Sequence, residues 1–226
     1  MKSKHVLAAV SLAAALTGTT AQAASYDATA DFQTLSNPGS VWSYGYSSSA
    51  GAGYALTLFD TASASVWSMG GYNTLGTPAA FVNTGASANG VATGQLGLHP
   101  GPLANGDVAI LRFTAPTAGS YAVTGQFFAG DIGSMQGLII LNDDATHPLQ
   151  VFGNTTDASV FAPLTLTLAA GAHVDFAVGN NGSFYYGSTP LSVQINSTPV
   201  PEPSSYALLL GGLGMLGWMA KRRRAS

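Results

Sequence analysis

The sequence predicts an all-β domain, a two-sheet antiparallel β-sandwich of jelly-roll type, set between two short targeting segments. Three observations carry this. Away from the chain ends, short apolar segments recur about every ten residues and are punctuated by Gly, Pro, Ser and Asn, which is the rhythm of a sandwich. The best-marked segments alternate apolar and polar side chains, so each has one face for a core and one for water. No long stretch between the ends shows an apolar period of 3.6 residues. With 28 glycines in 226 residues, disorder would be the competing reading, but low charge and an aromatic content of 10% contradict it.

In chain order, Lys2 and Lys4 precede an apolar core from Val6 to Leu16, and Ala21-Gln22-Ala23 supplies the small-x-small pattern of a secretory cleavage site. Residues 1–23 therefore read as a signal peptide, with the mature chain starting at Ala24. Residues 24–198 read as one domain, since roughly 175 residues suffice for a single core and nothing among them resembles a linker. Strands are expected at 26–33, 41–46, 54–60, 65–69, 79–83, 107–114, 120–128, 137–141, 149–152, 159–168, 173–178 and 191–196. Two hairpins stand out. One joins 108–114 to 120–127 through Ala115-Pro116-Thr117-Ala118-Gly119, with Tyr121, Val123 and Phe127 on one face. The other joins 164–168 to 173–178 through Ala169-Ala170-Gly171-Ala172, with Val174, Phe176 and Val178 on a buried face and His173, Asp175 and Ala177 on a wetter one.

Residues 199–226 form a third segment. In Val200-Pro201-Glu202-Pro203 the two prolines fix φ and bias their predecessors toward extended backbone, which presents one carboxylate on a rigid stretch that a peptidase can read. The next 17 residues, Ser204–Ala220, carry no charge and as a helix would reach about 25 Å, marginally a single transmembrane helix. The basic cluster Lys221, Arg222, Arg223 and Arg224 then acts as a membrane stop and leaves everything before Val200 outside the cytoplasm. Gly212-Leu213-Gly214-Met215-Leu216-Gly217 spells G-x-G-x-x-G but lacks the strand before it that dinucleotide binding needs.

In motif, order and distance from the chain end, this tail resembles the PEP-CTERM sorting signal of Gram-negative bacteria. The resemblance covers 200–226 only. It implies recognition by an exosortase through Glu202 and its flanking prolines, transient anchoring in the inner membrane, and delivery to the cell envelope, the cell surface or an exopolysaccharide matrix.

Both ends are basic, and removing them transforms the charge. Residues 24–198 hold one arginine, Arg112, against nine aspartates, a formal charge of −8 with histidines neutral. Nucleic acid is excluded as a partner, because phosphate contacts need Lys or Arg. There is no cysteine, so disulfides, zinc-thiolate sites and haem attachment are excluded as well. The sequence points to no firm cofactor. Asn142-Asp143-Asp144 and Asp131 carry oxygen ligands of the kind a structural calcium takes, but the spaced D-x-D-x-D-G loop is missing, and a plain polar turn is the other reading.

Phe113–Tyr121 and the Ala-Gly turn before Val174–Gly179 resemble hairpins of galactose-binding-like and carbohydrate-binding-module jelly rolls. This implies a fold and brings no binding residue with it, since such folds carry ligands on variable loops. Read from the residues, the ligand chemistry is aromatic. Trp42, Tyr44 and Tyr46 alternate on one strand, and Tyr185-Tyr186 stand in a Gly/Asn/Ser-rich loop next to Asn180-Asn181. Ring faces stack on sugar CH groups while amides take the hydroxyls. Trp42 and Tyr44 have a core alternative, and Tyr185 and Tyr186 a packing one. Catalytic signals are thin: Glu202 is the sole glutamate, no G-x-S-x-G or H-E-x-x-H occurs, and His99, His147 and His173 read as scattered in loops or on a wet strand. The expectation is an exported, non-enzymatic module that binds exopolysaccharide or another glycan in a biofilm matrix. A self-associating structural matrix protein is the alternative, and a polysaccharide hydrolase the third reading.

Overall fold

The computed structural model describes residues 23–69, 77–102, 107–153, 155–199 and 203–224. The expected signal segment through Gln22, with Ala21, and Val200, Pro201 and Glu202 of the sorting motif lie outside them. The chain divides into a β unit, Ala23–Val200, and a second unit formed by its two ends. In the β unit the strands are β1 Ala24–Asp27, β2 Trp42–Ser47, β3 Thr57–Leu58, β4 Thr61–Ser63, β5 Val66–Ser68, β6 Ala79–Val82, β7 Leu96–His99, β8 Val108–Thr114, β9 Gly119–Phe127, β10 Gln136–Leu141, β11 Gln150–Phe152, β12 Ser159–Val160, β13 Leu164–Leu168, β14 His173–Gly179 and β15 Thr189–Pro199. All pairings are antiparallel. One sheet runs β11-β10-β14-β8-β2-β3; the other runs β12-β9-β15-β7-β6-β5-β4, with β13 beside β9 and β1 beside β15. The expected all-β two-sheet sandwich is what forms.

Neither expected hairpin exists. β8 pairs with β14 and β2, whereas β9 pairs with β15, β13 and β12 in the other sheet. Residues 115–119 and 169–172 are therefore crossings between sheets. They run side by side, with Ala115 N donating to Ala172 O and Gly171 N donating to Ala115 O, both at 2.8 Å. Pro116 has no N–H to give a ladder, so the chain leaves its sheet there. An antiparallel pair in one sheet, β8 with β14, thus continues as an antiparallel pair in the other, β9 with β13, which is jelly-roll topology.

The alternation within β9 is as expected: Tyr121, Val123 and Phe127 are buried, while Ala122 and Thr124 are exposed. Between the sheets Phe113 lies 5.3 Å from Trp42 and 5.6 Å from Tyr121, and Phe161 lies 5.3 Å from Phe127 and 5.8 Å from Phe176, centroid to centroid. The outer face of β13, β9, β15 and β1 is a field of polar and small side chains, with Thr165, Ala122, Asn196 and Ser25 in register across it and the charged Asp27 at its edge beside Gln194. Three expected strands are markedly shorter than expected, and the third keeps only Thr57–Leu58 of 54–60. The first stops at Asp27, whose Oδ1 accepts from Thr29 N at 2.9 Å and Ala30 N at 3.0 Å and so turns the chain. The tenth is divided at Pro163 into β12 and β13.

The outer face of β14 is not wet. Tyr54, Val108, Ile110, Leu138, Ile140, Ala145 and Ala177 form a second apolar cluster, with Ala50 and Leu56 packed against it. Asp175 is fully buried in the same layer. Its two oxygens accept from Arg112 Nε and Nη2, both at 2.7 Å, and Tyr54 Oη donates to Oδ2 at 2.8 Å. Arg112 also reaches Asp143. Burial by itself would lower the Arg112 pKa, but the bonds to Asp175 and Asp143 more than offset this and raise it. Burial and then the charge of Asp175 push the Tyr54 phenol well above its ordinary value. The sole arginine of the domain is thereby consumed inside the fold.

In the second unit, α1 spans Pro203–Arg224, 22 residues. Proline suits its first position, where the missing N–H would lack a helical partner anyway. Leu209, Leu210, Leu213, Met215, Leu216 and Met219 are exposed. Among the described residues no helix is long and apolar enough to cross a membrane. Gly211, Gly212, Gly214 and Gly217 thin the apolar stretch, and its last turn holds Lys221–Arg224.

Removing one partner of a buried ion pair leaves an uncompensated charge. Arg112→Leu is expected to cost about 3–5 kcal/mol, read as a lower midpoint in urea unfolding followed by circular dichroism. A loss under about 1 kcal/mol, the scale of an exposed pair, would show that Asp175 has another charge partner.

Candidate functional site

At the end of the sandwich opposite the two crossings, three loops close over the outer face of β5, β6 and β7. Val66 pairs with Phe81 and Phe81 with Gly97 across these strands, and Ala79 pairs with His99. Period two sends Trp67, Ala80, Leu96 and Leu98 into the core, which leaves Val66, Ala79, Phe81 and His99 facing outward. A Cβ on Gly97 would meet Phe81 ring carbons at 2.8–3.3 Å, so the ring lies over that glycine. This apolar floor bears a cleft of about 450 Å³ whose other lining residues are Thr77, Asn89, Asp131, Tyr186 and Ser188. The volume is in the range of small-ligand sites.

The walls are stitched to each other by backbone contacts. Ala88 and Val91 exchange hydrogen bonds at 3.1 and 2.9 Å around Asn89-Gly90, whose φ values of 52° and 74° form a tight two-residue turn. That turn rests on the next loop: a Cβ on Gly90 would lie 2.2 Å from the Gly130 carbonyl. Asp131 N donates to Ser188 O at 2.9 Å and Gly133 N to Tyr186 O at 3.0 Å, which ties the second loop to the third. Tyr186 is held at φ 58°, where a bulky residue persists only if its surroundings fix it. Loops built this way are preorganised, so a ligand loses little affinity to ordering them.

Each expected site residue has a definite place. Tyr185 and Tyr186 are exposed, at 63% and 61%, and Tyr186 lines the cleft. Tyr185 packs on Phe184 with ring centroids 4.4 Å apart, and Phe184 in turn meets His99 edge-on at 6.3 Å. Asn181 is exposed beside them. Asn180 is buried and structural, with its Nδ2 donating to Gly101 O at 3.0 Å and its Oδ1 accepting from Gly182 N at 3.2 Å. Trp42 and Tyr44 need correction as ligand residues: they are 1% and 0% exposed, inside the aromatic core. Their alternation marked a buried face. Ala23 and Ala24 of the expected cleavage site enter the β unit, Ala24 as the first residue of β1. Lys221 and Arg222 lie in the last turn of α1, and the helix continues through Arg223 and Arg224.

Phe81, Asn89 and Thr77 were not singled out by the sequence, and His99 was expected in a loop but ends strand β7. Leu96-Gly97-Leu98-His99 was missed as a strand because its central glycine reads as a break. Only the Asn-Gly dipeptide at 89–90, a strong turn signal, could have marked this region. The acidic turn and Asp131 do not converge on a calcium site. Asp143 sits with Arg112, Asp144 accepts from Thr146 Oγ1 at 2.6 Å, and Asp131 is at the other end of the sandwich. Among the described residues no group of three or more His, Cys, Asp or Glu is placed to hold a metal ion.

Residues 199–224 match the family model described as the PEP-CTERM protein-sorting motif, so the chain carries that motif at its C-terminus. No curated protein matches it. Among solved structures it is similar to Pika GITRL (14% identity, 41% of this chain and 75% of that one, TM-score 0.29) and to a family 35 carbohydrate binding module from Clostridium thermocellum (20% identity, 39% and 69%, TM-score 0.27). It is also similar to a Podospora anserina GH26-CBM35 beta-(1,4)-mannanase, at 14% identity over 80% of this chain and 29% of that one, with a TM-score of 0.32. At these TM-scores the likeness bears on no ligand, and the site rests on this chain's own residues.

Two glycines with similar φ separate loop stitching from backbone conformation. Gly94, at φ 81° with open space around it, is expected to lose about 1–2 kcal/mol on replacement by alanine. Gly90→Ala adds a clash with Gly130 and is expected to lose about 1–3 kcal/mol beyond that. Equal losses in urea unfolding would mean that the loops are not held together as described.

Proposed function

We propose that this protein is exported to the cell envelope through its C-terminal sorting motif and there holds a hydroxyl-rich glycan in the cleft, without turning it over. The PEP-CTERM motif supports export, processing at the envelope and an exosortase as partner. The apolar side chains exposed around the circumference of α1 support its association with lipid before processing. In this reading the glycan is exopolysaccharide of the producing Gram-negative cell and the mature protein resides in its biofilm matrix.

One observation carries the glycan reading. A preorganised cleft combines an aromatic floor and rim, Phe81 and Tyr186, with polar groups from Thr77, Asn89, His99, Asp131 and Ser188 on its walls. Sugars need both, ring faces for their CH groups and polar partners for their hydroxyls. Binding is favoured over hydrolysis because Asp131 is the one carboxylate among the described lining residues, and glycoside hydrolysis takes a pair. Self-association within a matrix is the second reading, favoured by the outer face of β13, β9, β15 and β1, whose strands carry no charge there apart from Asp27.

Processing is tested by terminal mass spectrometry on protein recovered from the envelope, which is expected to lack residues 1–23 and most of the apolar tail. Extracellular protein that retains Lys221–Arg224 would remove the sorting reading. The cleft is tested by replacing Tyr185 and Tyr186 with alanine together. As exposed residues they are expected to cost about 1 kcal/mol or less in stability, while retention in gels containing the producer's polysaccharide is lost. A loss of several kcal/mol would assign them to packing. Concentration-dependent association without any sugar would favour the second reading.

A further inference from the structure

Tyr186 occupies a backbone conformation that its type does not suit. Among the described residues seven besides glycine have φ between 44° and 63°; five are Asn or Asp, one is Ala, and Tyr186 is the only bulky one. Asn and Asp bond locally and tolerate this left-handed region, whereas a large side chain there is strained because its Cβ crowds the following carbonyl. The same loop obeys the preference elsewhere, since it places Asn181 where φ is 44°.

The loop imposes this conformation, and the ring has no part in it. Tyr186 O accepts from Gly133 N at 3.0 Å, and a Cβ on Gly187 would meet Phe184 O at 2.7 Å and Sδ of the buried Met135 at 2.9 Å. These contacts are made by the backbone and by neighbours, so Asn or Gly at 186 would keep them without the strain. Burial does not offset it either. A ring stabilises a fold by the area it removes from water, and Tyr186 stays 61% exposed. Its ring instead lines the cleft with Phe81, His99 and Asp131. Tyr185 differs on each count. It has no positive φ, it is not among the described lining residues, and it packs at 4.4 Å on Phe184, whose ring meets His99.

We infer that the Tyr186 ring is a ligand contact of the cleft, held against backbone strain because the ligand and not the fold uses it, and stacked on a C–H face of a bound sugar. Tyr185 is a positioning residue that supports the wall carrying His99. This rests on the glycan reading above and divides between two neighbours a role which that reading gives to the pair.

The test uses the full-length protein in mild detergent and affinity gels cast with the producer's extracellular polysaccharide. Tyr186→Asn and Tyr186→Gly remove the ring and suit the backbone. Both are expected to weaken retention about tenfold, the scale of one lost aromatic contact. The thermal midpoint of Tyr186→Asn is expected to stay level or to rise by about 2–4 °C, the shift that relieving such strain gives a domain of this size. Tyr186→Phe keeps the ring and is expected to keep retention, and Tyr185→Ala is expected to leave retention in place. A lower midpoint for Tyr186→Asn would show that the fold itself uses the ring and would overturn the inference. Unchanged retention of both ring-less variants, or an equal loss from Tyr185→Ala, would overturn it too and leave the glycan reading to the rest of the cleft. No retention of the unsubstituted protein would overturn the glycan reading itself, and this inference with it.

Discussion

The two crossings at 115–119 and 169–172, locked by reciprocal hydrogen bonds between Ala115 and residues 171–172, are the constraint on which the rest of this structure depends. They force β8 with β14 and β9 with β13 to pass from sheet to sheet as pairs. With every strand antiparallel, the segments after β9 and after β14 must then emerge together at the opposite end. Residues 128–135 and 180–188 are those segments. Their meeting over β5–β7 makes the cleft, so the site is a consequence of topology before it is a matter of side chains. The handover of aromatic packing from Trp42 and Phe113 to Phe127, Phe161 and Phe176 along the interior keeps the two sheets in register between these ends.

The same topology disposes of the charge. Placing β14 beside β8 sets Asp175 opposite Arg112, and the segment carrying Tyr54 covers both. A buried pair of this kind is weak evidence for net stability, because desolvation offsets much of its attraction. Its effect on charge is clearer: the single cation of the domain is used in the fold, and the described lining of the cleft at the other end holds one carboxylate, Asp131, and no Lys or Arg.

Much of this was legible in the residues. Period-two alternation identified Tyr121, Val123 and Phe127 as inward, and the Gly/Asn/Ser setting of Tyr185 and Tyr186 correctly implied exposure, since a buried loop would strand its backbone polar groups. Alternation says which face a side chain takes and nothing about which strand lies alongside. Both crossings therefore read as hairpins, for their short Gly-containing links are compatible with either. Asp175 read as wet because its strand alternates, and the covering segment that makes it dry is more than a hundred residues away.

By itself, then, the sequence determined the all-β class, the approximate strands, the excess of aspartate, and the sorting motif, because each is a local property of composition or spacing. The tertiary structure alone decided that Trp42 and Tyr44 belong to the core, that Leu96–His99 is a strand, and that Thr77, Phe81, Asn89, His99, Asp131, Tyr186 and Ser188 share one cleft. These residues are separated by up to 111 positions in the chain, between 77 and 188. Their proximity arises from long-range pairing between sheets, which no local pattern encodes.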